Sequence, residues 1–570
     1  MPDWPNVATM MFALAANWGA RPMSRRFEAG AWTVTTWDDF GRKTAALACA
    51  LRAAGISAGD RVLLASENRP DFTIAEVALQ AIRAIPVPAY ITNSLADHAH
   101  VISDSGARAA IVSTKALAER VAQAAPLDLL ICMQPGVTSA IDWTATLQSK
   151  AGFADIAAEA AEIPPGALAV ILYTSGTAGA PRGVMLSHRA LLANCRSALA
   201  LCRPLRLEHE IYLSFLPMSH SFEHTLGQYF LPMMGSEIVF ARGIEHLAAD
   251  MLTVKPTLMT MVPRILEVIR ARILAQVARE KPWRQRLFAL AIDIGSKRAA
   301  GQDLALWERA ADPILDRMVR VRIRQRFGGR LRTAVSGSAR LEPAVGRFFQ
   351  AIGIQMIQGY GQTEAGPVIS AMRPYTSRID TVGPPLEGVA LQIASDGEIL
   401  VRGDLLMEGY WGLPAETART LEGGWLHTGD IGVIDPDGAL RITDRKKDII
   451  VLSGGDKISP ARIEGLLVAQ AAITQAVVAG EGKAGLSALI VPAEGYTKTD
   501  ATSAIAEVNG SLAIPERIRH HAIVPPFTVE NGLLTVSHKV RRHLVIATYL
   551  DLLSALSDPS RTDRDRAAQT

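Results

Sequence analysis

Cysteine is scarce in this chain: its 570 residues include four, Cys49, Cys132, Cys195 and Cys202. No two of them stand at metal-ligand or redox spacing. That excludes a disulfide framework, fits a reducing compartment and leaves core filling as their role. An excess of charge of one sign is missing too. Lys and Arg number 59 against 56 Asp and Glu, a net +3, which gives no global reason to expect nucleic acid. No apolar run reaches the roughly 18 residues a membrane span requires. The start, Met1-Pro2-Asp3-Trp4-Pro5, lacks the charged head and apolar core of a signal peptide. Short-period repeats are absent. Hydrophobic residues make up 49% and charged residues 20%, so the chain folds, and it is too long for a single core. The expectation is a cytoplasmic enzyme, with peripheral contact to the inner face of the membrane and a homodimer left open.

What is present centres on one loop, Tyr173-Thr174-Ser175-Gly176-Thr177-Ala178-Gly179-Ala180-Pro181-Arg182-Gly183. An apolar run, Ala167 to Leu172, precedes it and reads as a buried strand. A helical pattern begins near Arg189. Gly and Pro break regular structure in the loop, and Ser and Thr compete for its backbone. A concave loop of this kind can aim many N–H and O–H donors at one anion. No Gly-Lys-Ser/Thr closes it, so it is not a Walker A sequence. A polyphosphate loop of another kind and an ordinary glycine-rich turn both fit it.

Elsewhere the chain alternates strand and helix. Trp37 to Ala54, Glu76 to Arg83 and Asp97 to Gly106 are helical. Arg61 to Ala65, Ile85 to Tyr90 and Ala109 to Ser113 are strands. Alternation of this kind predicts parallel sheets faced by helices. Further strands, Ile211 to Leu216, Thr257 to Val262, Arg332 to Ser336 and Ile354 to Ile357, end in polar or glycine loops, where open α/β sheets bind ligands. Those loops carry His220, Phe222 and His224, then Gly337 and Ser338, then Tyr360, Gly361, Thr363 and Glu364. A carboxylate beside a hydroxyl suits Mg²⁺ held near phosphate, although Glu364 could equally serve a helix N-terminus. Residues 265–332 are helical and basic, with seven arginines between Arg317 and Arg332. A solvated helix face is the first reading, and an anionic membrane surface or a phosphate-bearing cosubstrate the second. Residues 382–442 read as short antiparallel strands, with Asp430 placed to accept from a diol or to finish a turn. The run Thr443-Asp444-Arg445-Lys446-Lys447-Asp448 reads as a solvated hinge. The expected division is 1–443, a hinge at 444–448, a second domain at 449–556 and a disordered tail at 557–570.

Taken together, the order and spacing of these motifs resemble the adenylate-forming superfamily of acyl-CoA synthetases, luciferases and nonribosomal adenylation domains, from about Thr36 to Arg542. Leu216 to Glu223, Val262-Pro263-Arg264 and Asn531 to Thr535 most resemble the long-chain fatty acyl-CoA synthetases. The resemblance implies an α/β fold: a large N-terminal domain of parallel sheets with a small β subdomain, then a small mobile α+β domain. It implies ATP, Mg²⁺ and coenzyme A, and a fatty acid as substrate. Thr174, Ser175, Gly176, Thr177 and Gly179 would hold the outer phosphates with Arg182. Glu364 and Thr174 would place Mg²⁺. Ser336, Gly337 and Ser338 with Tyr360 would line the adenine pocket, Gly361 and Thr363 would also bind ATP, and Asp430 and Arg445 would take the ribose. His220 would lie near the carboxylate, with Phe222 and His224 toward the acyl channel. Lys539 would be the catalytic lysine and Lys447 the pivot. The sequence departs from the pattern in three places: Arg182 replaces a lysine, Val536-Ser537-His538 replaces a Pro-containing segment before Lys539, and Asp444 replaces glycine. Three other functions stay open at this point: an acyl-AMP ligase serving a carrier protein, a non-catalytic lipid- or nucleotide-binding relative, and an aryl- or short-acid synthetase.

Overall fold

The computed structural model describes residues 3–137, 141–148, 152–174, 180–207, 209–376, 378–535 and 540–556. Two sheets make the parallel framework that the strand–helix alternation predicts. The larger has eight strands, in the spatial order Val368–Ala371, Gln355–Gly361, Thr333–Ser336, Leu258–Met261, Ile211–Ser214, Glu237–Phe240, Pro22–Glu28, Ala31–Thr36. The six inner strands are mutually parallel and the two edge strands pair antiparallel. The smaller is wholly parallel: Ile85–Ala89, Arg61–Ala65, Ala109–Val112 and Leu129–Cys132. Strands such as Arg61–Ala65, Ile85–Ala89, Ala109–Val112 and Leu258–Met261 are short, apolar and buried on both faces, as parallel sheets require, whereas Pro22–Glu28 and Ala31–Thr36 at one edge are polar and more open.

The strand before the glycine loop belongs to neither of these sheets. Leu168–Thr174 pairs antiparallel with Arg182–Ser187, with Thr174 opposite Arg182, and Gly409–Tyr410 joins the far edge. The loop is therefore a hairpin connection, not a strand-to-helix crossover. The helical pattern near Arg189 is the helix His188–Cys202, capped by Ser187 Oγ accepting from the N–H of Ala190.

Residues 390–445 form the expected antiparallel sheet, Ala390–Ile393, Glu398–Arg402, Leu426–Ile434 and Leu440–Arg445. The charged run at 443–448 is exposed at Thr443, Arg445, Lys446 and Lys447, as expected, but departs from expectation in part. Its first three residues continue a strand, and Asp444 is buried, with its pKa raised by that burial. Beyond it, Ile473–Ala479, Leu486–Pro492 and Ile518–Ile523 form a separate three-stranded sheet. Helices Pro460–Val468 and Lys498–Ser511 pack on it around a core of their own, including Ile463, Leu467, Ile490 and Ile505. This gives a large N-terminal and a small C-terminal domain. Among the described residues, no helix is long and apolar enough to cross a membrane.

Candidate active site

A cavity of about 1100 Å³ opens at the carboxyl ends of the central parallel strands, where polar loops can face a ligand without interrupting the sheet. Three groups of side chains give it polarity. Tyr360 Oη donates to Asp430 Oδ2 at 2.7 Å, and Arg445 Nε lies 3.2 Å from Asp430 Oδ1. Asp430 and Arg445 face each other across the antiparallel pair Leu426–Ile434 and Leu440–Arg445, so the sheet register sets this contact. Burial, with Asp430 beside it, pushes the Tyr360 hydroxyl well up in pKa, and Tyr360 stays a proton donor.

The second group surrounds Glu364. Tyr410 Oη donates to Glu364 Oε1 at 2.8 Å, and the Arg182 guanidinium lies over the Tyr410 ring at 4.4 Å. Arg182 also lies 3.7 Å from Glu416. One tyrosine thus positions both the carboxylate and the cation that replaces the expected lysine. Gly361, three residues before Glu364, lets the Pro367 backbone pass close beside it. A Cβ there would come within 1.8 Å of the Pro367 carbonyl oxygen, which is impossible without moving backbone.

The third group is the turn after Ile211–Ser214. His220 caps the short helix Ser221–Thr225, its Nδ1 accepting from the Phe222 N–H at 3.3 Å. Thr363 Oγ1 donates to Ser221 Oγ at 3.0 Å and ties this helix to the Tyr360–Glu364 segment. The Phe222 ring packs over Gly337, where a Cβ would stand 3.0 Å from it. The same cavity wall carries apolar side chains, among them Ala198, Leu201, Leu226, Phe230 and Ile357.

Most of the expected residues meet here. Thr174, Arg182, His220, Phe222, Gly337, Ser338, Tyr360, Gly361, Thr363, Glu364, Asp430, Arg445 and Lys447 all line this one cavity. Two do not. His224 is fully buried on the other side of its helix, with Nε2 2.6 Å from Glu76 Oε1 and its ring edge-on to Tyr229. Two residues of helix turn a side chain about 200°, so if Phe222 faces the cavity, His224 faces the core. Ser336 is the second correction. Strand side chains alternate; Val335 faces the cavity, and Ser336 is buried outside its lining. Ser175, Gly176, Thr177, Gly179 and Lys539 lie outside the described residues. On either side of Lys539, Thr535 and Val540 both line the cavity. Tyr410 was not legible in the sequence: it lies 46 residues from Glu364, in a strand of two residues with no motif around it.

A family model described as AMP-binding enzyme matches residues 14–411, and one described as AMP-binding enzyme C-terminal domain matches residues 447–558. The chain belongs to the AMP-binding enzyme family. It is 32% identical over 587 residues to long-chain-fatty-acid–CoA ligase FadD15 of Mycobacterium tuberculosis, covering 97% of each protein. To long-chain-fatty-acid–CoA ligase 5 of Rattus norvegicus it is 30% identical over 537 residues, covering 84% of this chain and 77% of that protein. Among solved structures, a benzoate CoA ligase from Burkholderia xenovorans aligns with a TM-score of 0.74 at 20% identity, covering 95% of this chain and 99% of that one. At that identity the likeness establishes the fold alone.

Proposed function

We propose that this AMP-binding enzyme is an ATP-dependent fatty acid–CoA ligase. A fatty carboxylate oxygen attacks the α-phosphorus of ATP, the bond to the β-phosphate breaks, and acyl-AMP and pyrophosphate result. The coenzyme A sulfur then attacks the acyl carbon, and the bond to AMP breaks. The observation that carries this reading is one cavity whose wall combines cations and hydrogen-bond donors with a set of apolar side chains, which suits a nucleotide meeting an acyl chain. Whole-length similarity to proteins named long-chain-fatty-acid–CoA ligase favours coenzyme A over a carrier protein as acceptor.

The chemical obstacle is charge, because an anion must approach a polyanion. At an effective dielectric near 20, two unit charges about 4 Å apart repel by roughly 4 kcal/mol. Donors and cations aimed at the reacting phosphate offset this, most of all in the transition state. In this reading Arg182 and Thr174 face the outer phosphates. Asp430 accepts from a ribose hydroxyl while Tyr360 and Arg445 fix its orientation. His220 lies near the carboxylate, with Phe222 toward the acyl chain. Lys539, carried on the segment between Thr535 and Val540, bridges the carboxylate and the α-phosphate. Lys447 is the pivot of a C-terminal domain that turns once acyl-AMP has formed.

The residues present fit a Mg²⁺ ion borne by the nucleotide. Among the described residues no cluster of three or more metal-ligating side chains exists, and Glu364 is one carboxylate on the cavity wall, held by Tyr410. Magnesium at phosphotransfer sites uses one or two carboxylates with substrate phosphates and water. When bound, it neutralises phosphate charge. Pyrophosphate release measured against a panel of short to long fatty acids, with and without coenzyme A, tests the reading. Release that ignores the fatty acid, or none at all, would sink it.

A further inference from the structure

The segment between strands Leu258–Met261 and Thr333–Ser336 is out of balance with the rest of the chain. Residues 263–332 hold seventeen Lys and Arg against seven Asp and Glu, whereas the whole chain stands at +3. Part of that charge is spent internally, which corrects the reading of the segment as a wholly solvated face. Arg320 is fully buried between Asp312 and Asp316, Arg324 holds Asp316, and Lys297 holds Glu308. Others pair nearer the surface, Arg298 with Asp312 and Arg309 with Asp303, while Arg272, Arg286, Arg317 and Arg322 are exposed.

These residues form a helical hairpin. Helix Pro282–Ala299 packs against Leu306–Leu315, which continues through Asp316–Arg320 and Val321–Gln325. On its inner face, Ala311, Leu315 and Val319 meet Leu287, Leu290, Ala291 and Ile294. On another flank Trp307, Ala310, Ile314 and Met318 follow at i, i+3, i+7 and i+11, the spacing of one helical stripe. Trp307, Ile314 and Met318 are 57%, 59% and 45% exposed, and the adjacent Leu306 is 86% exposed. Arg309, Arg317 and Arg322 are exposed on the same helix. Arg317 and Arg322 make no ion pair with any described residue. Single exposed apolar residues are ordinary, but a regular stripe with an aromatic, flanked by unpaired arginines, is not.

We infer that this helix face docks on an anionic lipid surface, its Trp and aliphatic side chains entering the headgroup boundary and its arginines meeting lipid phosphates. Charge selects this occupant. A second copy of the chain across a two-fold axis would set the same arginines against one another. Nucleic acid would leave the Trp307–Met318 stripe without a partner. The inference does not depend on what the cavity binds.

Flotation of the full chain with vesicles tests it, using phosphatidylcholine alone and phosphatidylcholine mixed with phosphatidylglycerol. The unaltered protein should bind the anionic vesicles at least about tenfold more tightly at low salt, a preference that shrinks as salt screens it. R317E/R322E should lose at least about fivefold per arginine, since a basic residue at such a surface contributes about that factor. W307S/I314S should also release the protein, with an unchanged melting midpoint in both variants. Equal flotation with both vesicle types, no flotation, or variants that float like the unaltered protein would overturn it. So would a dimer abolished by W307S/I314S, or duplex DNA binding that survives that variant. Pyrophosphate release measured without vesicles reports on the proposed ligase activity separately.

Discussion

The helix that carries His220 and Phe222 is anchored by a buried acid, and that anchor gives a signed pH dependence. Glu223 accepts from Tyr212 Oη at 2.5 Å, Ser214 Oγ at 2.6 Å and Thr260 Oγ1 at 2.9 Å, with 1% of its surface exposed. Burial pushes its carboxyl up from 4.5 to about 6, against the three hydroxyl hydrogen bonds that lower it. The folded chain therefore holds this proton more tightly than the unfolded chain does. The resulting stability is fully present below about pH 4.5 and is lost as the pH rises through about 6. The difference is worth about 2 kcal/mol. Unfolding entropy is about 2.1 cal/mol/K per residue, so the roughly 400 residues matched by the AMP-binding model give about 0.8 kcal/mol/K and a midpoint change of about 2 °C. Glu223→Gln keeps the shape and removes the titration. Its melting midpoint relative to the unaltered protein should rise by about 2 °C between pH 4.5 and pH 7, read from the first thermal transition because a multidomain chain need not melt in one step. A difference that stays flat across this range, or opens the other way, would refute the assignment. Glu223→Leu is the control: it strands three hydroxyls, at about 1–3 kcal/mol each, and should lower the midpoint at every pH.

Tyr410→Phe keeps the ring under Arg182 but frees Glu364, and should raise the Mg²⁺ concentration needed for half-maximal pyrophosphate release by about tenfold, the lower end for a lost outer partner. Tyr360→Phe removes one hydrogen bond to Asp430, a charged acceptor, and should raise the KM for ATP by roughly 10-fold or more, with the KM for fatty acid little changed. Arg320→Met leaves Asp312 without its buried partner and should destabilise the helical hairpin by about 3–5 kcal/mol, read as early proteolysis within residues 282–325. Lys539→Ala should slow adenylation at least about 100-fold, the scale of one transition-state donor, while supplied acyl-AMP is still converted to acyl-CoA. Equal loss of both steps would contradict a lysine used in the first step alone.

Most of the framework was legible because it rests on local patterns. Arg61–Ala65 and Ala109–Val112 stand where apolar runs put them. The cavity was legible as a set of loops after strands, since a parallel sheet brings its carboxyl ends together whatever lies between them in sequence. Two kinds of feature were not legible. One is pairing across long separations. Nothing near Thr174 announces that it faces Arg182 in a hairpin, or that Tyr410 will reach Glu364. The other is burial of charge. A run such as 443–448 reads as solvated by composition, yet Asp444 is enclosed because its strand alternates sides. The same holds for Arg320, which looks like one of a series of surface arginines until the helix face it occupies is known.

The segment from His220 to His224 shows why direction is the missing quantity. Its residue types alone offer two imidazoles and a carboxylate, a set that reads as one reactive cluster. Once the helix begins at Ser221, each step of about 100° sends the next side chain elsewhere. His220 closes the helix end, Phe222 faces the cavity, Glu223 meets the hydroxyls of the central strands, and His224 meets Glu76, which also accepts from Gln228 and Tyr229. Two of the five are therefore fixtures holding the wall to the sheet behind it. A buried polar network fixes orientation in a way that interchangeable apolar contacts do not, which suits a helix whose opposite face puts Phe222 on the cavity wall. On this account, apolar replacements at Glu76 and His224 together should blur the discrimination between acyl chains more than they lower stability. The same replacements leaving chain selectivity intact would reduce the network to core filling.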